Sequence, residues 1–148
     1  MTISLDTAQK SVNAGIAFAT CNGCPPVCIA VVDAAAHIVS FARMDRALLG
    51  CIDLAERKAR TAALFRQNSA HLGPMIQPGS SLYTLENSNG GLAAFGGGVV
   101  LMDPAGNVIG AVGVSGGTVE QDERIALAVL EIHANNKRKK EKNYDQGR

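Results

Sequence analysis

Hydrophobic positions recur at helical spacing in three segments of the chain and form extended runs between them. Apolar residues at steps of three and four predict a first helix, capped by Ser4, with the stripe Leu5, Ala8, Val12, Ile16 and Ala19. The same periodicity predicts a second helix over residues 47–66 and a closing helix over residues 118–135. These three helices flank two stretches of extended sequence.

Two pairs of apolar runs predict β-hairpins. Residues 27–33 and 37–43 flank a turn of three alanines, and residues 99–102 and 108–114 flank the turn Asp-Pro-Ala-Gly-Asn at 103–107. Hairpins imply an antiparallel sheet, so the element order predicts an α+β fold with about five strands and flanking helices. Residues 68–89 are rich in Gly, Pro, Ser and Asn, which predicts that they are mostly loop.

The junction between the last strand and the closing helix is the most informative local pattern. Gly-Val-Ser-Gly-Gly at residues 113–117 is followed by Thr118, and Gln121 three positions further on completes a capping box. Glycines let a ligand approach the backbone, and the amides at a helix N-terminus favour an anion. The pattern predicts a site for a carboxylate, a propionate or a phosphate; a tight turn without a ligand is the alternative.

Composition and charge narrow the class of protein. With 148 residues, 47% of them apolar, the chain suits a single domain, assigned to residues 1–136, and it has no run long enough to span a membrane. Residues 137–148 carry six Lys or Arg and two Asp or Glu, and we expect this basic tail to fray from the last helix. Because no aromatic residue is interleaved with these charges before Tyr144, nucleic-acid binding is not favoured. The N-terminus has no signal-peptide pattern, so we expect a cytoplasmic protein.

Five segments in a fixed order resemble one family of proteins. They are Val-Asp at 32–33, Phe-Ala-Arg-Met-Asp at 41–45, Lys-Ala-Arg-Thr-Ala at 58–62, Phe-Gly-Gly-Gly at 95–98 and the glycine-rich run at 109–122. This pattern, spread over residues 2–134, is similar to the GlcG/HbpS-like family, which includes the C-terminal domain of PduO-type proteins. The turn of three alanines departs from the family, whose members commonly carry a glycine there.

The resemblance has structural and functional implications. It implies a profilin-like or PAS-like sheet and assembly into homodimers or larger homo-oligomers. It also implies haem binding, or an accessory role in glycolate, diol or small-acid catabolism. A haem site needs an axial ligand, and the candidates in this chain are His37, His71 and Tyr83. His133, near the end of the last helix, is interpreted as structural.

The cysteines do not form a recognisable metal or redox motif. Cys21 and Cys24 close a predicted helix instead of opening one, which is the wrong context for a thioredoxin-like pair. Cys28 and Cys51 do not supply the second half of a zinc site, and no histidine follows Cys24 as haem attachment requires. We therefore predict no metal site.

An enzyme that needs no cofactor is the second interpretation. Arg43 is suited to clamp a carboxylate, Lys58 to neutralise an anion or transfer a proton, and Asp122 or Glu120 to act as general base. Ligand-binding candidates in this interpretation and in the first are Arg43, Gly97, Gly98, Ser115, Gly116, Gly117 and Thr118. The competing explanation is surface ion pairing of Lys58, and of Arg43 with Asp45 or Asp53.

The sequence thus predicts a small ligand-binding protein for haem or a small organic anion, accessory to small-acid or diol catabolism. The alternative enzyme would be a lyase, hydratase or isomerase acting on a small organic acid. A third interpretation is a purely structural or assembly module, because the small residues on the second helix allow close helix contact.

Overall fold

The computed structural model describes the backbone of residues 2–145 and the side chains of residues 2–131, 133 and 135. Four helices are present, α1 (Leu5–Cys21), α2 (Gly50–Phe65), α3 (Ser69–Leu72) and α4 (Val119–Asp145). Four strands lie between them, β1 (Cys28–Asp33), β2 (Ile38–Arg43), β3 (Gly98–Met102) and β4 (Val108–Ser115). Two short 3-10 turns, Gly73–Met75 and Leu85–Asn87, interrupt the long α2–β3 connection of residues 66–97.

The strands form one antiparallel sheet in the order β2-β1-β4-β3. The predicted α+β class and antiparallel sheet are confirmed, but the sheet has four strands and not about five. Residues 92–95, the remaining apolar run before β3, do not pair with a strand, because their backbone bonds go elsewhere. The Ala93 amide donates to Thr61 Oγ1, and the Phe95 carbonyl accepts from the Ser69 hydroxyl. The profilin-like or PAS-like assignment stays a prediction.

Both predicted hairpins are present, and their turns have the same construction. Asp33 accepts from the His37 amide, and Asp103 accepts from the Asn107 amide, each at 2.9 Å. In both three-residue loops the third residue has a left-handed backbone conformation, with φ of 65° at Ala36 and 86° at Gly106. A three-residue loop with a left-handed third position is a common hairpin connection, and glycine suits that position best. Ala36 therefore carries a backbone strain that Gly106 avoids.

Side-chain caps explain where two of the helices begin. The Ser4 hydroxyl accepts from the Thr7 amide at the start of α1, as predicted. At α4 the capping box is also confirmed, since the Gln121 amide donates to Thr118 Oγ1 and the Thr118 amide donates to Gln121 Oε1. The second helix begins three residues later than predicted, at Gly50, and no side chain caps its N-terminus.

Alternating strand residues build two apolar cores on opposite faces of the sheet. One face, with Ile29 and Val31 at its centre, packs against α1 and α4. The other face, with Cys28 and Ala30, packs against the alanine-rich side of α2. The molecule is thus a three-layer α/β/α sandwich, and α2 covers β1, β4 and β3 more than the edge strand β2.

The last helix is longer than the sequence pattern predicts. Its backbone continues from Val119 to Asp145, so it includes most of the basic tail. The side chains of that tail, and residues 146–148 altogether, lie outside the described residues, so the predicted fraying stays a prediction. No helix in the part of the chain that the structure describes is both long and apolar enough to cross a bilayer.

Candidate functional site

Lys58 and Asp122, two of the predicted catalytic candidates, form an ion pair inside the protein. The Lys58 Nζ atom lies 2.9 Å from Asp122 Oδ2 and 2.8 Å from the Val114 carbonyl oxygen. The two side chains are only 1% and 4% exposed, so the predicted surface ion pairing of Lys58 is wrong. The Phe95 ring lies 4.8 Å from Nζ and covers the ammonium on another side.

The glycine triplet before β3 makes room for this lysine. Gly97 has a φ of 118°, and a side chain there would place its Cβ 2.9 Å from Lys58 Nζ. A Cβ at Gly98 would collide with the Lys58 backbone. Only glycine therefore allows the Lys58 side chain to pass beneath the loop and reach the end of β4. These two glycines have a structural reason that is independent of a ligand.

The amides predicted to bind an anion are engaged by the protein's own side chains. The Gly117 amide donates to Asp122 Oδ1 at 2.9 Å, and the Thr118 amide donates to Gln121 Oε1 at 2.9 Å. The Gly97 amide donates to the Glu123 carboxylate. In this conformation the acidic residues of α4 fill the place that an external carboxylate would take. Phe95 belongs to the Phe-Gly-Gly-Gly segment that carries the family resemblance, but neither Phe95 nor Glu123 was predicted to be a site residue.

A second group of polar side chains lies in one row across three strands. Cys28 of β1 is directly opposite Arg43 of β2 and Ser115 of β4 in the strand register. Residues directly opposite in antiparallel strands share a face, and Cys28 faces α2. Arg43, Cys28 and Ser115 therefore form one row at the end of the sheet, which we call the Arg43–Ser115 row. Ser115 also follows Val114, whose carbonyl accepts from Lys58.

The side chains of Arg43 and Ser115 have no hydrogen-bond partner among the described residues. Arg43 is exposed and forms no ion pair with Asp45 or Asp53; instead, Asp53 binds Arg57 at 2.6 Å. Ser115 is 3% exposed, and its hydroxyl makes no hydrogen bond with another described residue. A Cβ on Gly116, whose φ is 143°, would lie 2.5 Å from the Pro26 carbonyl oxygen, so this turn leaves no space for a side chain.

The Cys28 thiol in this row has low reactivity. Burial raises the pKa of Cys28, the neighbouring Cys51 raises it further, and Arg43 lowers it. A thiol with a raised pKa is a poor nucleophile at neutral pH, so Cys28 is suited to line a site and not to react. All four cysteines are free, and only Cys21 is exposed.

The three predicted haem ligands lie in two separate places. His37 is at the opposite end of the sheet from the Arg43–Ser115 row, with its Nδ1 atom 3.7 Å from Asp33. His71 and Tyr83 are both exposed on the α2–β3 connection. His133, interpreted as structural, is 8% exposed in α4. His71 and Tyr83 thus share one segment of the chain, and His37 lies on the β1–β2 turn.

The fold and these residues agree with a family assignment. Residues 3–131 match the family model described as haem degrading protein HbpS-like. The chain belongs to this HbpS-like family, which confirms the resemblance predicted from the five sequence segments.

Individual proteins and a solved structure are also similar to this chain. An uncharacterised 15.0 kDa protein of the dhaT–dhaS intergenic region of Citrobacter freundii is 44% identical over 108 residues, which is 72% of this chain and 75% of that protein. The corrinoid adenosyltransferase PduO of Salmonella typhimurium is 42% identical over 106 residues, 71% of this chain but only 31% of that protein. The crystal structure of a PduOC:haem complex has a TM-score of 0.83 and 35% identity, with 88% of this chain and 94% of that chain covered.

Proposed function

We propose that this protein binds haem on its α2–β3 connection. The proposal is supported by membership of the HbpS-like family and by the similarity to the PduOC:haem complex. One observation about this chain carries it. His71 and Tyr83, both able to ligate iron, share the connection with the exposed apolar side chains of Met75 and Leu82.

The residues present fit the needs of a haem. A haem site combines apolar surface for the porphyrin with an axial ligand for the iron. Met75 is 37% exposed, Leu82 is 40% exposed and Tyr83 is 55% exposed, and the Leu82 amide bonds to the Met75 carbonyl at 3.0 Å. That hydrogen bond joins the backbones of two residues that are seven positions apart in the connection. When bound, haem would supply iron-centred ligand-binding and redox chemistry.

His37 is the less suitable ligand. Its side chain is 80% exposed on the β1–β2 turn, 3.7 Å from the Asp33 carboxylate, and it does not lie on the connection that carries Met75 and Leu82. The proposal therefore assigns axial ligation to His71 or Tyr83. The residues that would hold the porphyrin are Met75 and Leu82.

A hemin titration followed by absorbance tests the proposal. Wild-type protein should give a saturable Soret shift, and His71→Ala or Tyr83→Phe should weaken binding or alter the spectrum. His37→Ala is the matched control, since it also removes an exposed ligand-capable ring, and it should leave the titration unchanged. Saturation that is lost in His37→Ala and kept in both other variants would contradict the assignment to this connection.

The cellular role is proposed at a coarser level. An accessory role in small-acid or diol catabolism is supported by the similarity to part of PduO, a corrinoid adenosyltransferase. The buried Lys58–Asp122 pair gives the enzyme alternative less support, because its polar atoms are already bonded to the protein. Self-association, a cytoplasmic location and the alternative of an assembly module stay predictions.

A further inference from the structure

The chain contains asparagine followed by glycine twice, and the two pairs differ in their hydrogen bonds. Asn22 and Gly23 follow the end of α1, whereas Asn89 and Gly90 lie in the α2–β3 connection. In such a pair the glycine amide nitrogen can attack the asparagine side-chain carbonyl and displace ammonia, because glycine has no side chain to hinder the approach. Both pairs are exposed, so their hydrogen bonds decide which one can react.

The attacking nitrogen at Asn22 is held by the protein. The Gly23 amide donates to the Thr20 carbonyl at 3.3 Å, and the Asn22 side chain donates to the Phe18 carbonyl at 2.8 Å. These bonds close the end of α1, and Gly23 has the left-handed φ of 62° that such an ending requires. Both bonds would have to break before the amide nitrogen could reach the side chain.

The attacking nitrogen at Asn89 has no such bond. The Gly90 amide has no acceptor among the described residues, and a Cβ at Gly90 would meet nothing within 4 Å. The φ angles of Asn89 and Gly90 are 54° and 74°, and the Gly91 amide donates to the Ser88 carbonyl at 2.9 Å, so the pair occupies the centre of a tight turn. The nitrogen that must attack is therefore free at Asn89 and engaged at Asn22.

Arg60 contacts the peptide group that must lose a proton. Its guanidinium donates to the Asn89 carbonyl oxygen at 3.1 Å. When the peptide between Asn89 and Gly90 loses its N–H proton, negative charge spreads onto that oxygen, and a cation placed there stabilises the charge. Arg57 donates at 2.7 Å to the Gly90 carbonyl, which belongs to the next peptide. Both arginines thus tether this turn to α2, but Arg60 is the one that contacts the reacting peptide.

We infer that Asn89 is a site of spontaneous deamidation in the native protein, assisted by Arg60. The Gly90 nitrogen loses its proton to hydroxide and bonds to Cγ of Asn89, while the bond from Cγ to Nδ2 breaks and ammonia leaves with a proton taken from water. Water then opens the cyclic imide at either carbonyl, which gives aspartate or isoaspartate at this position. The product carries a new negative charge on a residue that contacts Arg60, in the connection that also holds His71 and Tyr83.

Peptide mass mapping of native protein incubated at neutral pH tests the inference. The mass gain of amide-to-acid conversion should accumulate at Asn89 at least about tenfold faster than at Asn22, because the two hydrogen bonds at Asn22 must open first. In urea-unfolded protein the two sites should react at similar rates, since the fold is the cause of the difference. Hemin is absent, so the results do not depend on the haem proposal.

Two variants separate the effect of Arg60 from a general loosening of the turn. Arg60→Gln should slow the reaction at Asn89 severalfold and leave Asn22 unchanged, because the cation on the reacting peptide is lost. Arg57→Gln removes the other tether and should not slow the reaction at Asn89. Circular dichroism checks that both variants are folded. The inference is overturned if Asn89 reacts no faster than Asn22 in native protein, if Arg60→Gln does not slow it, or if Arg57→Gln slows it equally.

Discussion

Replacing Lys58 with methionine should destabilise the fold strongly. Methionine keeps most of the aliphatic side chain but removes the bonds of Nζ to Asp122 and to the Val114 carbonyl. The Asp122 carboxylate, 4% exposed, would then be left with the Gly117 amide as its remaining partner among the described residues. Removing one member of a buried pair costs about 3–5 kcal/mol. In a domain of this size the melting temperature should fall by roughly 10 °C.

The chain offers a matched control for this substitution. Lys10 forms an ion pair with Asp6 at 2.7 Å, but those side chains are 62% and 69% exposed. Lys10→Met should therefore change the free energy of unfolding by less than about 1 kcal/mol. Urea unfolding of both variants and of Lys58→Met/Asp122→Asn gives the comparison, and the double variant should recover part of the loss. If Lys58→Met lowers the free energy of unfolding no more than Lys10→Met does, the Lys58–Asp122 pair does not stabilise the fold as a buried pair should.

Three further predictions concern the hairpin turns and the cysteines. Gly106→Ala should lower the free energy of unfolding by about 1–2 kcal/mol, because φ is 86° at this position. Ala36→Gly should change it less, because the relief of backbone strain is offset by the loss of a buried methyl group. Equal effects of the two variants in urea unfolding would contradict this reasoning. Because burial raises the pKa of Cys28, the folded state favours the thiol, so stability should fall as pH rises above 9.0 and Cys28→Ala should reduce that slope. Iodoacetamide should modify Cys21 well before Cys28 in native protein, and an equal rate would be inconsistent with the burial.

Local features of the fold were predictable because they depend on neighbouring residues. The caps at Ser4 and Thr118 and the turn beginning at Asp103 each involve side chains that bond within a few positions. The start of α2 was less predictable, since no capping side chain marks Gly50. The predicted count of about five strands was too high, since only the four strands of the two hairpins pair in the described sheet. The apolar residues 92–95 bond instead to side chains of α2 and α3.

The sequence indicated individual candidate residues, whose functional role stays a prediction, but not how they are arranged. Arg43, Lys58, Ser115 and Asp122 were all identified from sequence, yet Lys58 pairs with a residue 64 positions away and is buried. The Arg43–Ser115 row depends on strand register, which sets three distant residues side by side. The glycines at 97 and 98 make room for Lys58, which the sequence did not indicate, and their predicted contact with a ligand stays a prediction. Long-range register and burial therefore account for what the sequence pattern missed.

A hemin titration of wild type beside a His71→Ala/Tyr83→Phe double variant tests the proposed function most directly. Both substitutions are at exposed positions, so the double variant should fold as wild type does. Haem binding on the α2–β3 connection predicts a saturable Soret shift in wild type that is lost in the double variant and retained in His37→Ala. A wild-type protein with no saturable shift, or a double variant that binds hemin with unchanged affinity and spectrum, would contradict it.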